Sequence, residues 1–147
     1  MSWQRNGQNF FDRRYSRAHV WRFDGGAKIP ASPSPTVVPV PMSVEAHVDP
    51  EEAFVASLAS CHMLCFLDLC AQGGFMVDSY EDHAEGRLGK NERGRIAMLQ
   101  VTLRPAAQFN SGHAPTPQSI ADLHHQAHEH CFIANSVQTQ IRIDPVG

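Results

Sequence analysis

The sequence predicts an α+β domain, and three observations lead there. A capped, almost wholly apolar helix occupies the middle of the chain. Two segments of alternating polarity flank a tight turn after it. A second helix then leads into a last alternating run.

Residues 1–14 are polar and read as an irregular arm. The run Ala18, Val20, Trp21 and Phe23, within residues 15–23, predicts a strand, and Asp24-Gly25-Gly26 is a hairpin turn leading to a second short strand over 27–31. Residues 30–41 carry five prolines in twelve positions. Proline cannot donate to a ladder, so this stretch is an extended edge or a covering loop.

The helix begins at Asp49-Pro50-Glu51-Glu52. Asp49 is suited to cap, proline to open the first turn, and the glutamates to face the positive end of the dipole. Helical character runs to Gln72, and Gly73-Gly74 ends it. Because apolar side chains surround the cylinder, the helix should be central and covered on most sides. Residues 75–90 and 95–107 alternate about the Lys90-Asn91-Glu92-Arg93-Gly94 turn and predict one long hairpin. A second helix is expected from Thr116-Pro117 to about His130, and a last strand over 137–143. A single domain over residues 1–147 is expected, with no internal repeat.

Of the 147 residues, 42% are apolar and 18% charged, which are globular values. Twelve Lys and Arg against fifteen Asp and Glu give a formal charge of −3, so nothing favours a phosphate backbone and nucleic acid is not an expected partner. The one stretch that raises the membrane question, residues 53–71, contains His62 and Asp68, and an aspartate near a bilayer centre costs roughly 2.5–3.5 kcal/mol. A buried soluble helix in a cytoplasmic protein is therefore expected, and no membrane partner.

The four cysteines are Cys61, Cys65, Cys70 and Cys131, with no CxxC pair. Without a secretion signal they argue for thiol chemistry, metal ligation or packing. A free cysteine is often simply a small buried hydrophobe, and Cys65 and Cys70 are read that way. Cys61 and Cys131, on two different helices, are what an attacking and a resolving thiol require. Spacing alone does not bring them together.

Asp49-Pro50-Glu51-Glu52-Ala53-Phe54 followed by Ala59-Ser60-Cys61 resembles the Asn-Pro-Glu-(Glu/Gln)-Leu…Ala-Cys signature of the OsmC/Ohr family, whose glutamate likewise lies ten residues before the first cysteine. The second family cysteine comes late, in a Cys-Pro-x-Ser pattern, where this chain has Cys131-Phe132-Ile133-Ala134-Asn135-Ser136. The aromatic strand ending in Gly25-Gly26 and the Gly73-Gly74-Phe75 helix exit also match, so the likeness spans about residues 15–144. It implies antiparallel sheets around a long central buried helix, in an intertwined homodimer with sites at the subunit interface. It also implies a thiol-dependent peroxidase of organic hydroperoxides in oxidative-stress defence. Cys61 would attack, Cys131 would resolve, and an external dithiol, lipoyl-type by the same resemblance, would restore both thiols, with no bound cofactor.

Family members hold the thiolate with an arginine that a glutamate orients. Glu51 is that glutamate by position; ten residues on one helix are about 15 Å, so it must act through an intermediary or across an interface. The arginine is missing from its usual place, since residues 27–51 contain none. Arg17 is the first candidate and Arg22 the second. Phe132 stands where the family has proline, and His62 follows Cys61 where many members have an aromatic residue; it is a candidate to assist the thiolate.

Two alternatives stand beside the peroxidase. One is a non-catalytic redox sensor or binder of a small apolar ligand on the same fold. The other is a His/Cys metal protein, since His124 and His128 share a helix face and Cys131 or His62 would complete a tetrahedral set.

Overall fold

The computed structural model describes residues 1–146. The chain divides into two compact units, Met1–Ala53 and Phe54–Gly147.

In the first unit, β1 (His19–Arg22) and β2 (Lys28–Ala31) form an antiparallel hairpin. The Phe23 N–H donates to Ala27 O at 3.0 Å, closing the Asp-Gly-Gly turn. The N-terminal arm has no helix or strand of its own, yet it is tied down. Ser2 bridges Val20, the Trp3 indole N–H donates to Ser16 O at 2.8 Å, and Phe10 stacks on Tyr15 with centroids 4.7 Å apart. Beyond Ala31, where β2 ends, the proline-rich stretch forms no strand, because it lacks the donors a ladder needs.

The long helix α1 (Pro50–Gln72) starts in this unit and continues into the second. Its start is a reciprocal capping box: the Glu52 N–H donates to Asp49 Oδ1 at 2.7 Å, and the Asp49 N–H donates to Glu52 Oε2 at 3.0 Å. Gly74 ends it at φ 76°, a left-handed conformation that glycine adopts without steric cost.

The expected hairpin after the helix is present but broken in two. β3 (Val77–Asp82) pairs with β6 (Pro105–Phe109), and β4 (Glu85–Lys90) pairs with β5 (Ile96–Leu103) in a separate sheet. The break falls where Asp82 Oδ1 takes the Arg104 N–H at 2.7 Å, a backbone donor captured by a side chain instead of the ladder. β7 (Gln140–Ile143) joins β5 in parallel, so one pairing departs from the antiparallel pattern. Its predecessors Val137 to Thr139 lie outside the strand, and Thr139 Oγ1 instead donates to Met98 O at 2.8 Å.

The second helix, α2 (Pro117–His130), opens on Thr116, whose Oγ1 accepts the Ser119 N–H at 3.2 Å.

Within the chain, α1 buries only Leu58, His62, Phe66 and Cys70, a single ridge with i, i+4 spacing. Phe66 and Cys70 pack with Leu123 and Ala127 of α2, and Leu58 packs with Val101 and Leu103 of β5. The expectation that the helix is covered on most sides is therefore met along one ridge, while Leu64 is 61% exposed. Composition reports how much apolar surface a helix carries; it does not say that one chain suffices to cover it.

Candidate active site

α2 ends at Cys131, which sits at φ −70° and ψ 109°, outside helical space. The following turn is pinned at several points. The Ala134 N–H donates to Cys131 Sγ at 3.4 Å, and the Asn135 N–H to Cys131 O at 3.0 Å. Asn135 Nδ2 donates to Glu129 O at 2.7 Å, and Ser136 Oγ to Phe132 O at 2.7 Å. This held turn presents its amides to Cys61 on α1.

Cys61 and Cys131, seventy residues apart in sequence, are brought together. Burial by itself would raise the Cys61 pKa, but polar hydrogens close to its sulfur outweigh that and lower it. They come from the Cys131 thiol, the backbone N–H groups of Ile133 and Phe132, and the Cys65 thiol. Cys131 is buried; burial first, and then donation to Cys61, push its thiol up to about 11. The arrangement separates two sulfurs of one residue type. One is half-buried with its pKa drawn down, and the other is buried and held as a proton-bearing thiol.

Sequence reasoning did not foresee three of these donors. The amides of Phe132 and Ile133 and the thiol of Cys65 stabilise the charge for which an arginine was sought. A signal existed for Phe132: proline has no N–H, so any other residue after Cys131 adds a donor. Cys65 lies one helical turn from Cys61 and was read as packing. It is half-buried, and its thiol is raised by burial and by the charge of Cys61. For Cys70 the packing reading fits, since burial pushes it up to about 11.

His62 does not join the thiols, contrary to the expectation that it would assist Cys61. Consecutive helix residues project about 100° apart, and His62 turns into the core, where it is 1% exposed. Its Nε2 shares a hydrogen bond with His124 Nδ1 at 3.0 Å, the rings stacked with centroids 5.3 Å apart, and its Nδ1 has no partner. Phe66 stacks on His124 with ring centroids 4.1 Å apart. Burial, then the nearby His124 and His128, hold the His62 pKa down to about 4, and burial does the same for His124. His62 and His124, two of the side chains weighed as metal ligands, are thus hydrogen-bonded to each other. Among the described residues no three His, Cys, Asp or Glu side chains are grouped to hold an ion.

Arg17, Arg22 and Glu51 belong to the first unit. The Arg17 guanidinium donates to Tyr15 O at 3.0 Å and Arg13 O at 2.9 Å and lies 4.4 Å over the Tyr15 ring. Arg22 is exposed at the end of β1, and Glu51 lies in the first turn of α1. Among the described residues none of the three forms an ion pair.

A family model described as OsmC-like protein matches residues 44–146, more than two thirds of the chain. The chain belongs to the OsmC-like family. An OsmC-like protein of unknown function from Vibrio cholerae is 54% identical, with a TM-score of 0.96 over 99% of this chain and 95% of that one. An organic hydroperoxide resistance protein from Elizabethkingia anophelis shares the fold at 17% identity and a TM-score of 0.69, covering 88% of this chain and 86% of its own. The organic hydroperoxide resistance protein OhrB of Bacillus subtilis does so at 18% identity and 0.67, covering 89% and 92%. Comparison with curated proteins finds no match. The OsmC-like fold thus accounts for the α+β architecture expected from the sequence.

Proposed function

We propose that this chain reduces organic hydroperoxides, with Cys61 as the attacking thiolate and Cys131 as the resolving thiol. The observation that carries this reading is the nearness of the two sulfurs at the pinned end of α2, close enough that each shifts the pKa of the other. The thiolate attacks the terminal oxygen of ROOH and the O–O bond breaks; the alkoxide leaves as ROH after taking a proton. Cys61 becomes a sulfenic acid. The Cys131 sulfur then attacks the Cys61 sulfur, the S–O bond breaks and water departs, leaving a disulfide. An external dithiol, lipoyl-type by family resemblance, reduces it and is itself oxidised. The names of the Elizabethkingia and Bacillus proteins with this fold support the same reading.

The active form proposed here is a homodimer. The uncovered apolar side of α1, with Leu64 61% exposed, is the surface a second copy would bury, and light scattering behind a sizing column tests it.

Intact-mass analysis after one equivalent of cumene hydroperoxide tests the chemistry. Loss of two hydrogens from the native chain, absent in Cys61→Ser, with repeated turnover when dithiol is supplied, is the expected result. A native chain that keeps all its thiols sinks the peroxidase. Oxidation without turnover would favour a sensor, a reading the burial of Cys131 also suits, because it restricts approach of a reductant to that sulfur.

A further inference from the structure

From the thiol cluster we infer that Cys65 is a second resolving thiol, able to condense with an oxidised Cys61 in place of Cys131; this rests on the peroxide chemistry proposed above. Cys61 and Cys65 stand one turn apart on one face of α1, near enough for each thiol to shift the pKa of the other, as Cys61 and Cys131 also do. A sulfenic acid formed at Cys61 therefore has two thiols beside it.

The two differ in what lies behind them. Cys131 is buried in the turn after α2, 1% exposed. Cys65 is half-buried and lines an open cleft of ≈ 420 Å3 with Asp68, Leu69 and Phe132, the last 80% exposed at its rim. A disulfide that includes Cys65 is presented to this cleft, where a dithiol has room to enter. A disulfide between Cys61 and Cys131 has one sulfur out of reach.

Cys61–SOH and Cys65–SH give Cys61–S–S–Cys65 and water, the thiol proton leaving with the hydroxyl; the hydroperoxide supplied the oxidising equivalents. The external dithiol then returns both cysteines to thiols as it closes to its own disulfide. Geometry fixes the character of this bond. Residues four apart on a helix have Cα atoms about 6 Å apart, inside the disulfide range, but Cβ atoms about 5–6 Å apart where a disulfide has about 3.5–4.5 Å. The helical turn must yield by roughly 1–2 Å, so the bond is strained and easily reduced. It is a short-lived link on the way to the reductant, suited to turnover and poor for storage.

Tryptic peptide 29–87 contains Cys61, Cys65 and Cys70 and no internal Lys or Arg, so a Cys61–Cys65 bond lies within one peptide and a Cys61–Cys131 bond joins two. The test uses the native chain and the C70S/C131S variant, each treated with cumene hydroperoxide or with diamide, then alkylated and digested. An intrapeptide disulfide in 29–87, with continued turnover by C70S/C131S on dithiol and its loss on adding C65S, is the expected result. Sulfinic acid on Cys61 beside an alkylated Cys65, or no intrapeptide bond in either chain under either oxidant, overturns the inference. A native chain whose Cys61 takes no oxygen from the hydroperoxide sinks the peroxidase reading instead, and the diamide arm then decides the pairing alone.

Discussion

Replacing Phe132 with proline removes one backbone N–H from Cys61 and almost nothing else. That amide makes no other hydrogen bond among the described residues. The preceding Cys131 already has φ −70° and ψ 109°, close to the conformation a following proline imposes, so the turn should accept the ring. The exposed phenyl group at the cleft rim is lost as well, and F132A is the control that loses it while keeping the N–H. A hydrogen bond to a charged acceptor contributes about 1.5–3 kcal/mol. Sulfur is a weak acceptor and Cys61 is partly solvated, so the low end applies, about 1.5 kcal/mol, which is roughly a tenfold fall in thiolate population at a pH where the thiol form predominates. The remaining thiolate is more basic and about threefold more nucleophilic, given a Brønsted coefficient near 0.4–0.5, so the net loss in attack rate near neutral pH is about threefold. The assay is the rate of iodoacetamide alkylation of Cys61 against pH, with Cys65 and Cys70 replaced by serine in every chain. The midpoint should move upward in F132P and stay in F132A. Coincident midpoints for F132P and the parent would refute the claim that this amide holds the thiolate.

Other outcomes follow from the same structure. His62 and His124 have folded pKa values near 4 against about 6.5 unfolded, so the unfolded chain binds protons first as pH falls. Their contribution is complete above pH 6.5 and is lost between there and about 4, amounting to about 2 kcal/mol per histidine between pH 7 and 5; a urea midpoint unchanged over that interval would contradict it. Phe66→Ala empties a fully buried site against His124 and Tyr80 and should cost about 3–5 kcal/mol, read from denaturant unfolding. Asp49→Ala removes one arm of the capping box and should cost about 1 kcal/mol, seen as a lower Tm. Leu64→Glu places a charge on the uncovered side of α1; if that side is the dimer contact, light scattering should show monomers where the native chain shows pairs.

Local signals were legible where one short segment decides the outcome. Asp49-Pro50-Glu51-Glu52 and Gly73-Gly74 bound the long helix because a cap and a left-handed exit are chemical properties of those residues. Thr116-Pro117 opened the second helix for the same reason. The break in the hairpin was not legible, since it depends on Asp82 reaching the amide of Arg104 across two strands. Nor was the parallel pairing of Gln140–Ile143, because alternation fixes which side chains share a face and not the direction of a neighbour. At the site, the two main sulfurs could be named from motif spacing. Around them the sequence pointed to a charged side chain, whereas two of the donors beside Cys61 are backbone amides, a group that every residue but proline carries.

The imidazole pair in the core has a mechanical consequence for the sulfurs. His62 is the one polar member of an otherwise apolar row on α1, and His124 is its match on α2. Sliding one helix past the other by a turn, about 5.4 Å, would set Leu58 or Phe66 opposite His124 and strand a ring nitrogen in hydrocarbon. The two rods can therefore mesh at one height only. Cys61 adjoins one tooth of that gear and Cys131 ends the rod that bears the other, so the setting that joins His62 to His124 is also the one that lines up the thiols.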